Sequence, residues 1–275
     1  MTPDLRIQQA VLLVDTRGVR VIAQTDDLDV PEAERIAVLF GPRPEGITCP
    51  QAHFACPFGK KQVAVVRVED RPNGYLGFRF LILARELYKY LGDPFAIADR
   101  YPPDWTASGR LPDLQWPQEL LPERTLEQLD AILKHGDGSL LLGSTQALVD
   151  GNRVLLNRTE PAEQFIRELW QLLPTRTRCD LWPATFAFSD ELGFHAAVGP
   201  TLPTPRYGLQ VLREEAIRDY PQSSYELNLQ IAIESGDRKA LRKLLARRTA
   251  DDTLRLGLYM LAFALIVAVV MKLAF

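Results

Sequence analysis

Along the first ninety residues the apolar positions fall in short runs bounded by turn formers, the pattern of strands rather than long helices. Residues 10–14 and 19–23 flank Asp15-Thr16-Arg17-Gly18, which predicts a β-hairpin over residues 9–25. Residues 54–57 and 62–69 predict a second hairpin around Phe58-Gly59-Lys60-Lys61, and residues 77–83 a further strand. Between the hairpins, residues 31–40 read as a helix. Pro31 stands in its first turn, Glu32 and Glu34 lie near its start, and Gly41 stops it. Another helix is expected near 85–91, and Asp93-Pro94 opens a short one.

Residues 101–122 hold five prolines together with Trp105 and Trp116, and they mark the best internal boundary. Beyond it, residues 126–134 and 139–149 read as helices separated by His135-Gly136-Asp137-Gly138, with Ser139 a candidate cap. A strand follows at 153–157. The helix at 159–173 has the clearest period: Ala162, Phe165, Ile166, Leu169, Leu172 and Leu173 share one face. Residues 179–188 and 194–198 read as strands, and 199–208, with three prolines, as a linker. Residues 223–248 read as a helical hairpin broken at Ser235-Gly236-Asp237. Its arms carry Leu227, Ile231 and Ile233, then Leu241, Leu244 and Leu245.

The last segment breaks the pattern. Residues 256–271 are uncharged and almost wholly apolar, with no amphipathic period, and only Lys272 interrupts the run to Phe275. A bilayer core of ~30 Å needs about 20 helical residues, so the segment is expected to cross a membrane. Its anchor residues are Leu256, Leu258, Leu261, Phe263, Leu265, Ile266, Val269 and Val270. Arg238, Lys239, Arg242, Lys243, Arg247, Arg248 and Arg255 precede it and are expected to face anionic lipid. Basic flanks favour the cytoplasmic side. The expectation is a tail-anchored, single-pass protein of the cytoplasmic (inner) membrane with its body in the cytoplasm.

Charge partitions in the same way. The formal net charge is −3 over 275 residues, but residues 238–255 carry +5 and residues 1–237 carry −9. An acidic body argues against nucleic acid as a partner. The mean hydropathy of −0.09 describes neither part. The fold class expected is α+β: two small mixed subdomains with antiparallel hairpins, a C-terminal helical hairpin and one transmembrane helix. The boundaries are 1–122 and 123–200 for the subdomains, 201–222 for a proline-containing linker, 223–253 for the basic hairpin and 254–275 for the anchor.

Candidate chemistry is sparse. Cys49, His53 and Cys56 have ligand character, but a structural zinc site needs four ligands, and Cys179, His135 and His195 lack motif spacing. The loop at Gly136 has neither the lysine of a phosphate-binding loop nor dinucleotide glycine spacing. No GxSxG occurs. No catalytic, cofactor-binding or metal-ligating residue is therefore assigned, and no cofactor is expected.

The order of elements resembles a known family. Gln9-Ala10-Val11 with Arg17-Gly18, then Val63–Arg67 and Gly77-Phe78-Arg79-Phe80-Leu81-Ile82-Leu83, is similar to the N-terminal domain of bacterial GTPase-associated proteins. LGSTQALVDGNRVLL at 142–156, Leu172-Leu173-Pro174, Trp182-Pro183-Ala184-Thr185-Phe186-Ala187 and Val198-Gly199-Pro200 are similar to the family's middle region. The resemblance spans about residues 7–200 and implies a role in conflict systems with a GTPase as protein partner. It supplies no enzymatic residues. The function expected is a non-enzymatic, membrane-tethered adaptor or scaffold for a protein partner. The alternatives are a membrane-anchored hydrolase using a Cys/His or Ser/His site, and a nucleotide-binding regulator at the Gly136 loop.

Overall fold

The computed structural model describes residues 4–200, 211–218, 220, 224–246 and 258–261. Strands β1 (Arg6–Asp15) and β2 (Gly18–Gln24) form the first hairpin. At its turn, Asp15 Oδ1 accepts from the amides of Arg17 at 2.8 Å and Gly18 at 3.2 Å. Helix α1 (Val30–Leu39) starts where the Asp29 side chain accepts from the Glu32 amide. The second hairpin comprises β3 (Ala52–Phe58) and β4 (Gln62–Asp70), and β5 (Leu76–Ala84) follows. Helices α2 (Arg85–Leu91) and α3 (Pro94–Arg100) are short, as are strands β6 (Gly109–Arg110) and β7 (Leu114–Gln115).

The second half runs α4 (Leu126–His135), α5 (Gly138–Val149), β8 (Arg153–Asn157), α6 (Glu163–Leu172) and α7 (Thr175–Arg178). Strands β9 (Pro183–Ala184), β10 (Ala196–Gly199) and β11 (Val211–Leu212) come next. Helices α8 (Glu214–Arg218), α9 (Ser224–Glu234) and α10 (Arg238–Leu245) complete the described elements.

All these strands belong to one mixed sheet, in the order β11-β8-β10-β9-β3-β4-β5-β1-β2-β6, with β7 on β1. Strands β1 to β5 pair antiparallel, whereas β11, β8, β10 and β9 pair parallel. The two systems meet at a single β3–β9 bridge, Phe54 to Ala184, backed by the Thr185 amide donating to His53 O at 2.8 Å. The Phe40 ring packs on Phe54, Phe78 and Phe188, and Phe54 on Phe194. Aromatics from both halves thus share one core, where rings bury large apolar areas.

The expected fold class is corrected on two counts. Two mixed subdomains carrying antiparallel hairpins give way to one sheet, parallel in its second half. The transmembrane helix is overturned as well: among the described residues no helix is long and apolar enough to cross a membrane. A span needs about 20 residues, and the longest described helix, α5, has 12. Of the anchor residues, Leu258 and Leu261 lie in a four-residue helical stretch and are exposed. Leu256, Phe263, Leu265, Ile266, Val269 and Val270 lie outside the described residues. The tail-anchored, single-pass membrane adaptor therefore does not stand as the reading of this chain.

Local departures have local causes. The helix expected from 159 begins at Glu163, because the Ala162 amide donates across to Thr185 O at 3.0 Å and holds that residue out of helical geometry. Asp137, not Ser139, caps α5 by accepting from the Leu140 amide. Residues 179–188 form only the two-residue β9. Within the expected linker, 201–210, 219 and 221–222 lie outside the described residues, and the rest includes β11 and α8.

Candidate functional site

A pocket of about 450 Å³ opens between the end of α2, the segment 120–127, α7 and α10. Each wall has a local cause. Gly92 ends α2 in the left-handed conformation at φ 65°, and a Cβ there would meet Cys179 Sγ at 3.1 Å and Arg178 Nε at 3.3 Å. That close approach brings α7 against the α2 terminus. Asp93 then caps α3 through the amides of Phe95 and Ala96. On the opposite wall, a capping box between Thr125 and Gln128 starts α4 and fixes the segment before it. Helix α10 closes the site by burying Leu241 and Leu245 while its charged face stays outside.

Two arginines form the polar end. Arg124 Nη1 donates to the carbonyls of Gln171 at 2.6 Å and Leu173 at 2.5 Å, and its Nη2 to Thr175 Oγ1 at 2.6 Å. Burial pushes this guanidinium down to about 9, and the neighbouring charge of Arg178 acts in the same direction. Arg178 is 7% exposed, and its Nε and Nη1 are buried without a hydrogen-bond partner. The nearest carboxylate oxygen, Asp93 Oδ2, stands 3.7 Å from Nη1, beyond hydrogen-bond reach, and accepts from Gln171 Nε2 at 2.9 Å instead. At the mouth, Arg238 pairs with Glu127 at 2.7 Å and Arg242 faces Glu123 at 3.8 Å.

The structure buries the cysteines singled out for nucleophilic chemistry. Cys49, Cys56 and Cys179 are free and buried. Burial pushes the Cys49 thiol up to about 12, with Asp70 adding to it, and burial also raises Cys56 and Cys179. Such thiols are protonated and unreactive at neutral pH. His195 Nδ1 accepts from the Trp182 amide at 3.1 Å, and burial, then Arg153, lowers it to about 4. The Cys/His hydrolase reading is thereby corrected. Among the described residues no group of three His, Cys, Asp or Glu side chains is placed to hold a metal ion. At the Gly136 loop, the start of α5 is already occupied by Asp137, which also pairs with Arg218 at 2.5 Å.

Of the basic residues ahead of the apolar run, Arg238, Lys239, Arg242 and Lys243 lie on the exposed face of α10. Arg247, Arg248 and Arg255 lie outside the described residues. Sequence reading missed Arg124 and Arg178. They are 54 positions apart, and neither belongs to a recognisable motif. The local hint is the pair Arg176 and Arg178 in a short polar stretch between Leu172-Leu173-Pro174 and Leu181-Trp182.

No family model, no curated protein and no solved structure matches this chain.

Proposed function

We propose that this chain is a ligand-binding protein whose site is the Arg124–Arg178 pocket, and that its ligand is an anion. One observation carries the reading: Arg178, a guanidinium more than nine-tenths buried in the lining of the pocket, keeps Nε and Nη1 without a hydrogen-bond partner. Its nearest carboxylate, Asp93, stands 3.7 Å away, beyond hydrogen-bond reach, whereas buried donors are mostly satisfied. Guanidinium groups match carboxylate and phosphate oxygens in geometry, and the pocket has the size of a small-molecule site.

Thermal unfolding of the full chain tests this. An anion present at about a hundred times its Kd stabilises by about 2.7 kcal/mol. The gain is expected to vanish in Arg178→Gln, whose own midpoint serves as the reference. If every anion shifts the wild type no more than chloride at matched ionic strength, the pocket is not an anion site.

A further inference from the structure

Resting on that reading, we infer that the ligand is an aliphatic monocarboxylate, its carboxylate between Arg124 and Arg178 and its chain along Leu241 and Leu245. Charge and shape both lead there. Behind the pocket, among the described residues, Asp93 is the carboxylate that acts on both Arg124 and Arg178. At the mouth, Arg238 and Arg242 are matched by Glu127 and Glu123. Among the described residues one positive charge is left without a counterpart, which a single negative charge balances. A dianion such as a phosphate monoester brings one charge more than that balance takes up.

The walls decide the rest of the molecule. Leu241 and Leu245 are 3% and 8% exposed. Leu120, also in the lining, is 66% exposed and lies at the open edge. Beside its charged groups the lining carries Leu91, Leu120, Leu121, Leu126, Leu241 and Leu245, side chains that offer no hydrogen bonds and give contact area to methylenes. The two ends therefore ask for one charged head and an apolar body in a single ligand.

Calorimetry on the full chain separates the possibilities, using acetate, hexanoate, decanoate, decanol, decyl phosphate and inorganic phosphate. Affinity should rise about fourfold per added methylene until the pocket is filled. Decanoate should bind at least tenfold tighter than decanol and decyl phosphate. Leu120→Ser should weaken decanoate several-fold and leave acetate unchanged. Glu123→Gln, at an exposed rim position, should narrow the gap between decyl phosphate and decanoate. These two variants keep the test open should Arg178→Gln fail to fold. Equal or tighter binding of either phosphate overturns the monocarboxylate and leaves the anion pocket standing. Decanol binding as tightly as decanoate, or decanoate binding that survives Arg178→Gln intact, overturns both.

Discussion

Glu163 Oε1 lies 3.3 Å from Nδ1 of the buried His53, and this contact ties α6 to β3 across the seam of the sheet. Gln51 Nε2 reaches both carboxylate oxygens, at 3.2 and 2.9 Å, and Arg167 Nε donates to Oε1 at 2.8 Å. Arg167 in turn grips Asp99 with two hydrogen bonds of 2.7 and 2.9 Å. Among the described residues one β3–β9 bridge joins the parallel and antiparallel strand systems, and these side chains add further ties across the joint.

The Glu163 carboxyl should therefore make folding sensitive to acid. Burial works against its ionisation, but His53 and Arg167 outweigh burial and hold it down to about 2. A carboxyl depressed from 4.5 stabilises the fold fully above about 4.5 and loses that contribution as pH falls towards 2. The urea midpoint is expected to drop across that window. Glu163→Gln should flatten the drop and cost on the order of 2 kcal/mol at pH 7. An unchanged pH slope in the variant would show that the carboxylate does not secure the seam.

Arg153 and Asp190 form an ion pair with side chains only 9% and 8% exposed, and Arg153 Nε also donates to Phe194 O at 2.6 Å. Removing one partner strands the other charge. Asp190→Ala is expected to destabilise by about 3–5 kcal/mol in urea unfolding, whereas Asp190→Asn, which keeps an acceptor, should cost less. A loss below ~1 kcal/mol for the alanine variant would mean that water reaches Arg153.

The buried thiols give a chemical test. With Cys49 pushed up to about 12, and Cys56 and Cys179 also raised, thiol reagents at pH 8 should label the native protein far more slowly than free cysteine. Urea should release all three. Rapid labelling of Cys49 or Cys56 in the folded protein contradicts their placement in the core and reopens a cysteine nucleophile.

Gly143, inside α5, decides between two opposite expectations. Helix propensity alone says that Gly143→Ala stabilises by about 1 kcal/mol. A Cβ there, however, would lie 2.5 Å from the Ile217 carbonyl oxygen of α8. Backbone cannot yield as a side-chain tip does, so the variant is expected to lose about 1–3 kcal/mol. Hydrogen exchange should show α8 opening first, and a stabilised variant would mean that α8 is not packed so closely.

Local patterns were legible where local chemistry is sufficient. The Asp15–Gly18 turn and its flanking apolar runs specify β1 and β2, because a hairpin needs only neighbouring residues. Ser235-Gly236-Asp237 marks the break between α9 and α10, where Gly236 adopts φ 70° and Asp237 caps the next helix. On α9, periodicity misplaced the apolar face: Leu227 and Ile231 are exposed, while Tyr225, Leu229 and Ile233 are buried. Both sets have helical spacing, and only the packed neighbours choose between them.

The sequence by itself determined most strands and helices, the cap at Asp93, the acidic body and the absence of a recognisable catalytic motif. It misled on the transmembrane helix: among the described residues no helix is long and apolar enough to cross a membrane. Tertiary structure alone decided that β9 joins two strand systems into one sheet. It alone set Arg178 beside Arg124 with two donors unpaired. Both facts depend on contacts between residues tens of positions apart, and hydrophobic periodicity carries no information about which distant surfaces will meet.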